Sequence, residues 1–170
     1  MRLFIAFDAS KAKEQILAIQ KQLTGATLTK SFHLTLKFLG EVTPAKAEEI
    51  KNKLKTVQFK PFTAKLNGTG VFPNENFIRV VWIGLEPKET ICELQKKIEE
   101  ALHGMFEKEK DFQPHITLAR VKSSDQQFAD KVKNLKVEPV SFAVKEFKLI
   151  ESKLEREGPV YTDVEKYEMK

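Results

Sequence analysis

Ser31-Phe32-His33-Leu34-Thr35-Leu36 and Gln113-Pro114-His115-Ile116-Thr117-Leu118 share one local frame, His-apolar-Thr-Leu. The chain holds three histidines, and two of them stand in this frame. Ordinary residue usage gives a histidine that frame with a chance on the order of one in a few hundred. Coincidence is a poor account of two. Each copy lies in a stretch that reads as a β-strand, where residues i and i+2 point to the same side. His33 therefore shares a face with Thr35, and His115 with Thr117. Leu34, Leu36, Ile116 and Leu118 point the other way and can anchor each strand in a core.

The apolar pattern around these frames alternates between a period of two and a period near four, which predicts strands interleaved with helices. Residues 2–7 read as a buried strand. Residues 11–23 read as a helix with Ser10 as its cap, Ile16, Leu17, Ile19 and Leu23 as its stripe, and Gly25 past its end. Phe32–Gly40 is a strand with Phe32, Leu34, Leu36 and Phe38 on one face and His33, Thr35 and Lys37 on the other. Thr43-Pro44 opens a helix running to about Leu54. Residues 62–67 and 77–84 read as strands joined by a Gly/Pro/Asn-rich loop. A second long helix follows Pro87, with Ile91, Leu94, Ile98, Leu102 and Met105 on one side. Residues 112–121 form the second motif strand, Asp125 caps a short helix, and residues 137–150 read as strand. The segment from Gly158 closes the fold as a strand. The strand–helix–strand–helix order before residue 60 is echoed after residue 77, which predicts a single α+β domain, 1–170, of two related lobes.

Composition narrows the class. Twenty-nine Lys+Arg against 24 Asp+Glu leave a formal charge of +5, and hydrophobic residues make up 41%. These values exclude a disordered chain. No apolar run reaches the roughly 20 residues of a membrane helix, and Met1–Phe7 is too short for a signal-peptide core. A soluble cytoplasmic protein with no membrane partner is expected. The single Cys92 excludes a disulfide framework and a multi-cysteine metal site.

Two imidazoles and two hydroxyls facing one cleft suit a phosphodiester. One neutral imidazole accepts a proton, one imidazolium donates one, and the hydroxyls hold phosphoryl oxygens. Histidine fits both roles because its unperturbed pKa lies near 6.5. Two histidines with threonines offer too few donors for zinc, which usually takes three or more protein ligands in such sites.

These motifs resemble the 2H phosphoesterases, specifically the RNA 2′,3′-cyclic phosphodiesterases, also called 2′-5′ RNA ligases. The resemblance extends to Arg2-Leu3-Phe4-Ile5-Ala6, Gly70-Val71-Phe72-Pro73, Arg79-Val80-Val81-Trp82, and Ser152-x-Leu154 followed by Gly158-Pro159-x-Tyr161. Ile78 departs from it, standing where the family more often has proline. The resemblance implies a bilobal, pseudo-symmetric fold with two antiparallel sheets lining a central cleft and helices outside. It implies hydrolysis of a terminal 2′,3′-cyclic phosphate to a 2′-phosphate with no metal and no cofactor, His115 being the proton acceptor and His33 the proton donor. Thr35, Thr117 and Arg120 would then bind the phosphoryl group, and Phe38 the terminal base. The expected partners are RNA ends, single-stranded or tRNA-derived, bound by a monomer. Ligation of RNA halves and non-catalytic binding of RNA ends are the alternatives.

One geometric tension accompanies this reading. Phe38 and Arg120 lie five residues beyond their histidines, so an ideal strand sends them to the opposite face. A bulge after each motif, or approach around the strand end, would reconcile the two. Of the remaining residues, His103 reads as a surface or helix C-terminal capping residue, Cys92 as core, and Phe72, Phe77 and Trp82 as core or nucleotide-stacking surface. Arg79 and Lys37 read as phosphate-binding charges or solvated ones, and Gly68-x-Gly70 lacks the residues of a nucleotide loop.

Overall fold

A computed structural model describes residues 1–170. The chain begins with β1 (Arg2–Asp8), a single 3₁₀ turn at Ser10–Ala12, and α1 (Lys13–Gln20). The short β2 (Thr27–Leu28) precedes the first motif strand, β3 (His33–Glu41), and α2 (Pro44–Leu54). A long hairpin, β4 (Phe62–Asn74) and β5 (Phe77–Glu86), leads into α3 (Lys88–Ala101). The second motif strand is β6 (His115–Arg120), followed by α4 (Gln126–Lys133), β7 (Ser141–Val144), β8 (Glu146–Glu155) and β9 (Gly158–Glu168). The strands form two antiparallel sheets, ordered β3-β1-β8-β9 and β2-β6-β5-β4-β7.

The expected echo is present. In each sheet a strand, β1 or β5, is followed by a helix and then by the motif strand that pairs antiparallel with it. The helices bury the stripes that the sequence assigns them. Ile16 and Ile19 of α1, Ile50 and Leu54 of α2, and Ile91, Leu94 and Ile98 of α3 are all inaccessible to solvent. One apolar cluster runs through both sheets, from Leu3, Ile5 and Phe7 to Val81, Ile83 and Ile116.

Several expectations are corrected. Ser10 does not cap α1; its amide and hydroxyl instead bond to the Asp8 carboxylate at 3.2 and 2.5 Å. Leu17 faces solvent, because the stripe of α1 continues through Gln20 instead. Residues 68–74 are not loop but the outer half of β4, irregular at Leu66/Thr69 and Phe72/Pro73. The stretch 137–150 splits at Lys145 into β7 and β8, which belong to different sheets. Cys92 is half-buried rather than core. Thr43 and Asp125 do cap α2 and α4, accepting from the amides of Lys46 and Phe128.

Candidate active site

Both motif strands show the same sequence of burial from their histidine onward: half-buried, buried, half-buried, buried, buried, exposed. Strict alternation breaks at the fifth residue because each strand carries a bulge. Ile5 pairs with Lys37 and Ala6 with Thr35, leaving Leu36 as the extra residue. Val81 pairs with Ala119 and Trp82 with Thr117, leaving Leu118 extra. One unpaired residue reverses the parity of all that follow. Phe38 and Arg120 thus return to the face that carries the histidine and threonine. Phe38 is 70% exposed there, with its ring 5.9 Å from that of Phe4, which in turn lies 6.0 Å from His33.

The same bulge turns Lys37 inward, against the expectation of a phosphate-binding or solvated charge. Its ammonium lies 2.5 Å from the Glu99 carboxylate of α3, both side chains almost fully buried. It also donates to the Glu107 carbonyl at 2.9 Å, and Glu99 accepts the Glu109 amide. The bulge of β6 has a matching support. Gln20 of α1 donates from Nε2 to the Leu118 carbonyl at 2.9 Å and to the Thr29 carbonyl at 2.8 Å, while the Thr29 hydroxyl donates to the Thr117 carbonyl. Three of the four buried polar side chains, Gln20, Lys37 and Glu99, serve these two bulges. The bracing is crossed. The helix of each half holds the motif strand of the other.

Each histidine stands among aromatic edges. His33 meets Tyr161 at 5.5 Å and Phe4 at 6.0 Å between ring centroids, and His115 meets Phe72 at 5.1 Å and Trp82 at 6.0 Å. The Trp82 indole sits so close to Gly70 that any Cβ there would overlap it unless the ring moved. Behind His33, Phe4, Ala6 and Ile150 form a small buried floor with Tyr161 against it.

The two imidazoles differ in their partners. The Nδ1 atom of His115 lies 2.7 Å from the Gln113 carbonyl. A carbonyl only accepts, so Nδ1 carries the proton and neutral His115 presents a free Nε2 lone pair. Burial lowers the pKa of His115, partly offset by that bond. The Nδ1 atom of His33 lies 3.1 Å from the Ser31 hydroxyl, which can donate or accept. Burial also lowers the His33 pKa, while the Asp8 and Asp163 carboxylates oppose that shift and Lys148 reinforces it. Lys148 and Asp163 form an ion pair of 3.1 Å.

Of the predicted residues, His33, Thr35 and Phe38 share one face of β3, and His115, Thr117 and Arg120 the corresponding face of β6. The two strands approach each other across the junction of the sheets. Arg79 stacks on the exposed Phe77 ring at 3.6 Å, and His103 is exposed beyond the end of α3. No group of three or more His, Cys, Asp or Glu side chains is arranged to hold a metal ion. No helix is long and apolar enough to cross a membrane. The sequence reading missed Asp8, Lys148 and Asp163 beside His33, and the braces Gln20 and Glu99. The braces had a signal: each is a polar residue on an apolar helical stripe, Gln20 four beyond Ile16 and Glu99 eight beyond Ile91.

The fold and its paired motifs define a two-histidine phosphoesterase architecture, and the comparisons with known proteins are specific. The profile of the 2′-5′ RNA ligase superfamily matches residues 7–156, and the chain belongs to that family. It is 36% identical to an RNA 2′,3′-cyclic phosphodiesterase of Archaeoglobus fulgidus, over 99% of this chain and 100% of that one. It is 38% identical to the enzyme of the same name from Methanocaldococcus jannaschii, over 98% of this chain and 100% of the relative. Among solved structures, Escherichia coli LigT complexed with 3′-AMP superimposes with a TM-score of 0.80 at 28% identity, covering 99% of this chain and 98% of LigT.

Proposed function

We propose that this protein hydrolyses the terminal 2′,3′-cyclic phosphate of RNA to a 2′-phosphate, using His115 as general base and His33 as general acid. Water donates a proton to Nε2 of His115 as its oxygen bonds to phosphorus. The bond from phosphorus to the 3′-oxygen breaks, and the His33 imidazolium gives that oxygen its proton. The product carries a 2′-phosphomonoester and a free 3′-hydroxyl, and the two histidines exchange protons with solvent to reset.

The observation that carries the assignment is the unequal surroundings of the two imidazoles. Nδ1 of His115 is committed to the Gln113 carbonyl, which leaves Nε2 as the acceptor. His33, lowered by burial and by Lys148, has two carboxylates near it, Asp8 and Asp163, whose fields act against that lowering and toward the cation an acid requires, and His115 has no such carboxylates. Thr35 and Thr117 offer hydroxyls to the equatorial oxygens, and exposed Arg120 offers a guanidinium to the developing charge. The exposed ring of Phe38 offers a stacking surface for the terminal base. The relatives named RNA 2′,3′-cyclic phosphodiesterases and the 3′-AMP complex of LigT support RNA ends as the substrate class. Within that class the reading extends to single-stranded or tRNA-derived ends, bound by a monomeric, cytoplasmic, single-domain enzyme.

The test is the product. A short RNA ending in a 2′,3′-cyclic phosphate, incubated with the protein in excess EDTA, is expected to yield a 2′-phosphate. A 3′-phosphate would mean that the 2′-oxygen leaves and that the substrate lies the other way round. Loss of turnover in EDTA would reject the metal-free scheme.

A further inference from the structure

The ladder between β8 and β9 runs from Glu146/Glu168 to Glu155/Gly158, but β1 pairs with β8 only over Lys148–Glu151. Ser152–Glu155 and Gly158–Tyr161 therefore form a two-stranded arm with no third strand beside it. At about 3.3 Å per residue, the arm extends some 13 Å past the sheet. Directly opposed antiparallel residues point to the same side, and that side alternates along each strand. Tyr161 pairs with Ser152 and Pro159 with Leu154. Since Tyr161 packs on Phe4 and His33, Leu154 and Pro159 belong to the same face as the active site. Leu154 is 86% exposed, the most exposed large apolar side chain in the protein. It contributes nothing to a core, and an unsupported hairpin is only marginally stable by itself. One face thus carries Phe38, Tyr161, Pro159 and Leu154 in a track leading away from His33, with Phe4 as the buried floor between the first two rings.

We propose that this arm is a binding surface for the nucleotides that precede the RNA terminus, making the protein selective for oligonucleotides over cyclic mononucleotides. The inference rests on the phosphodiesterase reading above. The occupant is single-stranded RNA because the track starts at the catalytic ring and a chain held there has to leave the cleft along some surface. Bases have apolar faces that stack without regard to sequence. At about 3.4 Å per stacked nucleotide, the arm has room for three or four. The charges of the arm, Lys153, Glu155, Arg156 and Glu157, cancel, so the contact is expected to be apolar and its contribution insensitive to salt.

The experiment compares kcat/KM on 2′,3′-cyclic AMP with that on a tetranucleotide ending in a 2′,3′-cyclic phosphate, for wild type, Leu154→Ser and Leu154→Phe. Leu154→Ser is expected to lose roughly fivefold on the tetranucleotide, the low end of base-stacking effects, at both low and high salt, and to keep its rate on cyclic AMP. Leu154→Phe is expected to gain on the tetranucleotide alone. Equal effects on the two substrates, or none on either, would overturn the proposal. So would a change of oligomeric state on sedimentation, which would make a second copy of the chain the occupant. Failure of wild type to act on any cyclic phosphate would instead refute the underlying activity.

Discussion

Replacing Lys37 by methionine removes one half of the ion pair beneath the first motif and keeps most of the side-chain volume. The partner Glu99 is 7% exposed overall, and its remaining contact is the Glu109 amide. A carboxylate left buried without its cation typically costs about 3–5 kcal/mol, a large share of the roughly 5–15 kcal/mol that holds a domain folded. For a chain of this size, 1 kcal/mol corresponds to about 2–4 °C in Tm, so Lys37→Met should melt about 6–20 °C below wild type near pH 7.5. The deficit should depend on pH. Glu109, whose carboxyl burial already raises, would rise further on losing the lowering influence of Lys37. Groups with raised folded-state pKa values make the folded state bind more protons, so stability rises as pH falls, and the deficit should narrow toward pH 5. Lys37→Met/Glu99→Gln should recover much of the loss, because the glutamine oxygen can still accept the Glu109 amide. Thermal melts by circular dichroism at the two pH values give all of these quantities. A single variant that melted within about 2 °C of wild type, with the same pH dependence, would refute the bracing role.

Three further outcomes are expected. His33→Ala and His115→Ala should each slow turnover of a cyclic-phosphate RNA by roughly 10²–10⁴-fold, and wild-type rates in both would refute the site assignment. The kcat/KM profile should be bell-shaped and peak on the acid side of neutrality, since burial lowers both histidines from 6.5. Lys148→Met removes a cation beside His33 and should move the alkaline limb to higher pH, whereas Asp163→Asn removes an anion and should move it lower; reversed shifts would exclude His33 as the acid. Gly70→Ala forces the Trp82 indole off the β4 backbone, and an overpacked contact of this kind costs about 1–3 kcal/mol; an unchanged Tm would show that the indole has other room.

The two motifs were legible because each residue's role depends only on its own strand. Alternation alone puts His33 with Thr35 and His115 with Thr117. Phe38 and Arg120 were legible as positions but not as geometry. Their side is decided by the extra residues Leu36 and Leu118, and a bulge depends on the partner strand's register, which β3 and β6 do not themselves encode. Lys37 was misread for the same reason. The alternation that places His33 outward also places Lys37 outward, until the bulge reverses it and Glu99, distant in sequence, supplies the counter-charge. The split at Lys145 left only a slight mark, a change of apolar phase from Phe142 and Val144 to Phe147 and Leu149, and what separates β7 from β8 is their allegiance to different sheets.

Crossed bracing has a consequence for how activity is acquired during synthesis. A nascent chain that has emerged only as far as α2 contains His33, Thr35 and Phe38, yet lacks the helix whose Glu99 neutralises Lys37. The later half, isolated, lacks the Gln20 amide that satisfies the Leu118 carbonyl. Neither piece contains the brace of its own motif strand, so neither holds the support beneath its proposed catalytic histidine. Both bulges are braced only once the two halves have docked, and a truncated product is expected to be inactive for that reason.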